Sequence, residues 1–352
     1  MDYKKQLDNL IKQTIQAGAS DLHLSEERPP TLRVARSLVP IVNEGKLLRE
    51  DTVGLLTELL TLEQKKNFLI DKEVDFSYEH SGARFRGNGF FQRGSVAVAL
   101  RLIPHKIKSV AELNLPPILE SFTEKPQGFF LVVGPIGQGK TTTLAAMIER
   151  INETRAEHIM TIEDPIEYVY EEKLSTIDQR EVRIDTKDFQ NALGSVFRQD
   201  INILLIGEMR NIETISAAVT AAETGHLVFS TLHTNNAAQT IERIIDIFPA
   251  NQQDQIRVQL SGSLTGIFSQ RLIPRISGGL VPAYELLINN SAVGNLIREK
   301  RTHELNSVIE TGLEQGMIDM NRSLAELVRK GEITPENAYL RSLNPRLLER
   351  LI

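Results

Sequence analysis

The sequence predicts an α/β protein: a mostly parallel sheet with helices on both faces, preceded by a small α+β domain and followed by a helical tail. Beyond residue 117, short apolar runs alternate with helical patterns. The 352 residues are 41% hydrophobic and 24% charged with no low-complexity stretch, the composition of a chain that folds throughout, into two or three domains. A glycine-rich turn, GPIGQGKT at 134–141, joins an unbroken apolar run, FFLVV, to a helical pattern, TTLAAMIERI.

In order along the chain, residues 2–18 put Tyr3, Leu7, Leu10, Ile11 and Ile15 on one helical face, with Gly18 as a left-handed cap. SDLHLS alternates polar and apolar, and TLRVARSLVPIV after Pro29-Pro30 reads as two strands joined by a turn. Asp51-Thr52 are expected to cap a helix bearing Val53, Leu55, Leu56, Leu59 and Leu60. Three strands follow, VDFSYEH, ARFRGNGFF and SVAVALRLI, with turns at Ser81-Gly82 and Arg93-Gly94. Residues 1–103 thus form the first domain, and 104–117, aperiodic with a proline at each end, is expected as a linker. The core, 118–289, takes its strands from FFLVV, HIMTI, INILLI, HLVFSTL and YELLI, with a helix near Phe189–Arg198. Residues 290–352 read as helices with no further strand.

No apolar run approaches the ~20 residues of a membrane span, and MDYKKQLDNL lacks the apolar centre of a signal peptide, so a cytoplasmic protein is expected. Zero cysteines exclude a disulfide framework, a thiolate zinc site and a catalytic thiol. A formal charge of −6 lacks the basic footprint of a non-specific nucleic-acid binder.

GPIGQGKT fits G-x-x-x-x-G-K-[ST] in the setting that gives the motif meaning, between a buried strand and a helix. Gly134, Pro135, Ile136, Gly137, Gln138 and Gly139 would wrap backbone amides around a polyphosphate, with Lys140 on its β- and γ-phosphates. The Thr141 hydroxyl would reach Mg²⁺, and Thr142 is expected beside it among the nucleotide-binding residues. The plainer alternative, a glycine turn with an exposed lysine, explains neither the spacing nor the context. Two carboxylates end apolar strands: Glu208 in ILLIGE, preceded by Gly207 where many P-loop enzymes carry Asp, and Glu163 with Asp164 in TIEDPIEY. Each, taken alone, also reads as a solvated loop carboxylate. His226 and His233 bracket the strand in TGHLVFSTLHT without completing a metal-ligand set; His233 reads as a polar sensor near a γ-phosphate, or as a structural loop histidine. Arg84, Arg86, Arg93 and Arg101 lie far from the motif in sequence; solvated strand faces are the ordinary reading for any one, and delivery to a phosphoryl group in trans is the functional one.

Together these stretches resemble the secretion-superfamily ATPases of type IV pilus and type II secretion machines, and within them the pilus retraction ATPases. The resemblance covers nearly the whole chain: ASDLHLS, RFRGNGFFQRG, LRLIP, GPIGQGKTTTLAAMI, TIEDPIEY, LLIGEMRNIETI, AAETGHLVFSTLHT, SQRL, NLIRE and SLAELVRKG. It implies a PAS-like N-terminal domain on a RecA-like P-loop NTPase domain with a helical tail, and a homohexamer that hydrolyses ATP with Mg²⁺ to power pilus retraction. It implies Lys140 and Thr141 on phosphate and metal, Glu163 as general base, and Glu208 on metal or water. His226 and His233 would belong to a His box, Arg271 would couple the site to its surroundings, and Arg86 and Arg101, with Arg84 and Arg93, would reach the nucleotide from the first domain. The implied partner is the inner-membrane pilus platform protein, of the PilC kind, which would hold the protein at the membrane base of the machine; no nucleic acid is expected. SAVG before NLIRE, Ile201 in place of a common proline, and SLVP without a glycine and an acidic residue depart from the pattern. The extension and secretion ATPases usually add an N-terminal domain and a four-cysteine motif, and a RecA-like DNA motor would suit a basic chain; neither description fits this sequence as well.

Overall fold

Asp2 opens the chain's first helix by accepting the Lys5 amide at 3.1 Å, and α1 (Tyr3–Gln16) buries Leu7, Leu10 and Ile11 before Gly18 turns left-handed at φ 58°. The computed structural model describes residues 2–34, 37–80, 82–103 and 106–352, and divides into two compact units, Met1–Lys106 and Ile107–Ile352. The turn residues between the second and third strands, Ser81, and Pro104 and His105 of the expected linker lie outside the described residues.

The first unit continues with β1 (Asp21–Ser25), β2 (Thr31–Val34), β3 (Ser37–Pro40), α2 (Arg49–Leu59), α3 (Leu62–Asp71), β4 (Glu73–His80), β5 (Ala83–Gln92) and β6 (Ser95–Ile103). The strands pair antiparallel throughout, in the order β3-β2-β1-β6-β5-β4. Alternation sends Leu22, Leu24, Leu32, Phe85, Val98 and Leu100 into one core with α1 and α2, and leaves Asp21, Arg33, Arg86 and Arg101 on the opposite face. Gly87 and Gly89 sit on the apolar face because side chains there would collide: a Cβ on Gly87 would stand 2.2 Å from the Phe76 ring. The expected Asp51-Thr52 cap is corrected. The helix begins at Arg49, and Asp51 lies in its first turn, where its carboxylate reaches back to the Leu48 amide at 2.8 Å.

The second unit opens earlier than the sequence suggested. Val110 and Leu115 are buried with Phe122 and Phe130, so the described part of the segment expected as a linker is largely packed chain belonging to this unit. Then come α4 (Ile118–Thr123), β7 (Gly128–Val133), α5 (Lys140–Thr154), β8 (His158–Glu163), β9 (Thr176–Glu181), α6 (Phe189–Val196), β10 (Ile203–Ile206), α7 (Ile212–Glu223), β11 (Leu227–Leu232), α8 (Ala237–Asp246), α9 (Ala250–Ser263), β12 (Leu264–Pro274) and β13 (Leu280–Ile288). The sheet order is β13-β12-β7-β11-β10-β8-β9, parallel except for β13. Both faces are covered: Phe129, Leu131 and Val133 pack toward α6 to α9, and Phe130 and Val132 toward α4 and α5. The sequence showed neither β9, a polar edge strand, nor β12 as strands. The C-terminal region adds α10 (Ser291–Arg298), α11 (Leu305–Thr311), α12 (Met320–Arg329), α13 (Pro335–Tyr339) and α14 (Pro345–Leu351), with Met320, Leu324 and Leu348 buried against Ile273 and Ala283. Among the described residues no helix is long and apolar enough to cross a membrane.

Candidate active site

At the carboxyl rim of this sheet, β7 stops at Val133 and the chain turns back through Gly134 at φ 148°, where a Cβ would lie 2.6 Å from the Gln270 carbonyl oxygen. Ile136 and Gly137 form the exposed tip, and Gly139, at φ 80°, caps α5. The helix's unpaired first-turn amides therefore face the space the turn encloses, and its dipole adds partial positive charge there. Lys140 is buried. Its Nζ donates to the Gly134 and Pro135 carbonyls at 2.9 and 3.0 Å and to His233 Nδ1 at 3.2 Å. Burial, and then the Arg271 charge, pull Lys140 down to about 8, with Glu167 and Glu208 pulling back. Thr141 is half-buried, and the Thr142 hydroxyl lies 2.9 Å from that of Tyr168, which ties the start of α5 to the chain after β8.

The neighbouring strands end in the expected acids and imidazole. Glu163 closes β8 with 4% exposure; Thr161 donates to its Oε1 at 2.7 Å and Gln179 at 3.4 Å, yet burial pushes the carboxyl up to about 7. Beside it, a Cβ on Gly207 would press at 3.3 Å on the Glu163 Cα, which favours glycine before Glu208. Glu208 meets Arg210 at 2.6 Å and His233 Nε2 at 3.9 Å. Because the Lys140 ammonium must donate to Nδ1, the His233 proton sits on Nε2, toward Glu208. Burial and then Lys140 lower the His233 pKa. Lys140, His233 and Glu208 thus form one line across three strand ends. Asp164 instead faces Arg183 at 3.4 Å, and His226 sits at the opposite end of β11 from His233, its Nδ1 3.0 Å from the Ala221 carbonyl. The structure does not bring His226 to the rim.

At this rim Arg271 was named through the resemblance, whereas Asn235, Gln270, Gln179, Tyr168 and Glu285 were not singled out from sequence. Arg271 is 5% exposed and donates to the carbonyls of Gln270 and Asn235, both at 2.8 Å, tying β12 to the loop after His233. Asn235 belongs to that loop, and Gln270, Gln179 and Tyr168 approach from β12, β9 and the segment after β8. Glu285 of β13 accepts the Ala237 amide at 2.8 Å, and burial raises it to about 7. A polar run such as TIDQRE and a strand following a helix with no connecting loop offered no signal for these contacts. Among the described residues no group of three His, Cys, Asp or Glu side chains could hold a metal unaided.

In the first unit, strand register sets Arg33, Asp21, Arg101 and Arg86 side by side across four strands. Arg101 Nε donates to Asp21 at 2.9 Å and Arg33 approaches it at 3.6 Å. Burial opposes ionisation of Asp21, but hydrogen bonds from Ser20 and Arg101 and the Arg101 charge hold it below the usual range. Arg86, exposed and directly opposite Arg101, has no partner among the described residues. Like charges in register are destabilising, and the Asp21 carboxylate offsets this on the Arg101 side. Arg84 is half-buried on the same strand, and Arg93 lies at the β5–β6 turn, away from the pair.

Residues 3–283 match the family described as type II/IV secretion system protein. The chain belongs to that family. The chain is 45% identical to the type IV pilus retractation ATPase PilT of Pseudomonas aeruginosa, over 94% of the chain and 96% of the relative. It is 48% identical to the twitching motility protein of Neisseria gonorrhoeae, over 86% and 82%. A crystal structure of the pilus retraction motor PilT with bound ADP superposes with a TM-score of 0.92 at 46% identity, covering 97% of this chain and 98% of that one. The fold is the α/β fold of the secretion ATPases.

Proposed function

We propose that this protein is an ATP-hydrolysing motor of type IV pilus retraction, working as a cytoplasmic homohexamer beneath the pilus. The observation that carries the reading is the line of Lys140, His233 and Glu208 at the sheet's rim, with the buried Glu163 one strand on. The near full-length likeness to pilus retraction proteins supplies the biological setting.

The turn's amides and Lys140 hold the triphosphate; to do so, Lys140 exchanges the carbonyls of Gly134 and Pro135 for phosphate oxygens. Glu163 accepts the proton of the attacking water as its oxygen bonds the γ-phosphorus and the bond to the β–γ bridging oxygen breaks, giving ADP and phosphate. A carboxyl near 7 suits that task at neutral pH. His233, its Nε2 proton turned to Glu208, reports the phosphate's presence to that acid. The donors fit Mg²⁺, which takes one or two protein oxygens and leaves the rest to phosphate and water: Thr141 and Glu208 would hold it, and bound there it neutralises phosphate charge. Arg86 and Arg101 answer the same charge from the first unit of a neighbouring copy. Their attraction to the γ-phosphate closes one unit on another and its loss releases them, displacing an inner-membrane platform protein.

The zero cysteines speak against the extension and secretion branches, and the acidic balance against a DNA motor. The test pairs two variants. Lys140→Ala should lose both ATP binding and phosphate release, while Glu163→Gln should bind ATP normally and turn over at least about 100-fold more slowly. Unchanged phosphate release in both would refute the site. In cells, removing the protein should abolish retraction and leave pili assembled; loss of pili would assign it to extension.

A further inference from the structure

Beyond Ser269, which pairs with Val133 at the end of β7, the β12 edge that faced β7 has no strand beside it among the described residues. The glycine-rich turn takes that place. Leu272 N donates to Gln138 Oε1 at 2.7 Å, and Gln270 Nε2 donates to the Gln138 carbonyl at 2.8 Å. The other end of the Gln270 amide, Oε1, accepts the Thr143 hydroxyl at 2.6 Å. A carbonyl can only accept, so the orientation of this amide is fixed by its partners. Gln270 is 3% exposed, and its backbone carbonyl oxygen is the atom that forbids a side chain at Gly134.

We infer that Gln270 is a positioning residue for the nucleotide: its amide, with the reciprocal contact of Gln138 to Leu272, fixes the curvature of the phosphate-binding turn. The inference rests on the reading of that turn as the phosphate site. The Gln270 amide is committed at both ends to protein partners. It spans the turn and the start of α5, and so holds two sets of amides in one arrangement. A loop free to take other shapes would have to be ordered at the moment of binding, at the expense of affinity. Gln138 occupies one of the four unspecified places of the motif, yet its side chain is committed to the protein's own strand.

The test measures ADP affinity by calorimetry and steady-state ATPase on the full chain. Gln270→Met keeps the volume and removes both hydrogen bonds; Gln138→Ala removes the reciprocal contact from a half-exposed turn where folding is not at stake. Each should weaken ADP binding about tenfold and raise the KM for ATP by more than it lowers kcat, since both side chains act through the shape of the turn. The double variant should be no more than about twofold worse than the worse single one, because both remove one device. Full ADP affinity in Gln270→Met and Gln138→Ala, or a double variant showing the full product of two separate losses, would overturn the inference. Lys140→Ala separates the two failures: if it too binds ADP normally, the phosphate site lies elsewhere, whereas its loss beside two intact glutamine variants sinks the inference alone.

Discussion

Glu163 shows what one buried carboxyl does to both chemistry and stability. Held near 7 by burial, it must be ionised to accept a proton, so kcat should fall as pH drops through about 7. A pH profile of turnover checks this, and Glu163→Gln should erase that limb along with most of the rate. Stability runs the other way. A folded pKa raised above the ordinary 4.5 gives stability that is complete below 4.5 and is lost as pH rises through about 7. The charge kept for catalysis thus costs on the order of 3 kcal/mol at high pH. Glu163→Gln should therefore melt higher than the unsubstituted chain at pH 8, with the gap closed by pH 4; equal melting temperatures at pH 8 would contradict the burial argument. At this scale Lys140, Glu163, Glu208 and His233 were legible because motif spacing and strand ends announce them. Gln270 was not, since a side-chain amide bridging two loops leaves no period or spacing in the sequence.

Among elements, the arginine row depends on antiparallel register rather than on any one residue. Asp21 sits between Arg33 and Arg101 and is the only acid in that row. Asp21→Asn should lower kcat several-fold while leaving ADP affinity at the second unit's turn unchanged, because Arg101 loses its anchor and the like charges lose their counter-ion. Turnover and calorimetry on the same sample test this, and an unaltered kcat would remove the row from the mechanism. The row was half legible: the sequence singled out Arg86 and Arg101, but their direct pairing and the part of Asp21 required the register of three strands. Similarly, β7, β8, β10 and β11 read as strands because burial on both faces makes them continuous apolar runs. β12 was hidden because α9 passes into it with no connecting loop: Gly262 and Gly266 lie inside the helix and the strand rather than between them, and Leu264 both caps the helix and starts the strand.

For the whole molecule, the arginine face and the rim belong to different units of the chain. If one copy's arginines serve another copy's nucleotide, two inactive variants should rescue each other. Arg86→Ala and Lys140→Ala, mixed in equal amounts and allowed to reassemble, should regain up to about a quarter of normal turnover, the share of random contacts with both partners intact. No recovery in reassembled mixtures would mean that each copy serves itself. The broad division into a smaller first unit, a parallel sheet and a helical end was legible from changes in hydrophobic period. The boundary was not, because Val110 and Leu115 are isolated apolar residues whose burial depends on contacts distant in sequence.

The joint between α9 and β12 has a mechanical meaning. Because Leu264 ends α9 and begins β12, a displacement of that helix bears directly on the strand that carries Gln270 and the seat of the nucleotide. Resistance met outside would then be felt where fuel is held, and an engine joined in this manner is expected to throttle its own consumption under load.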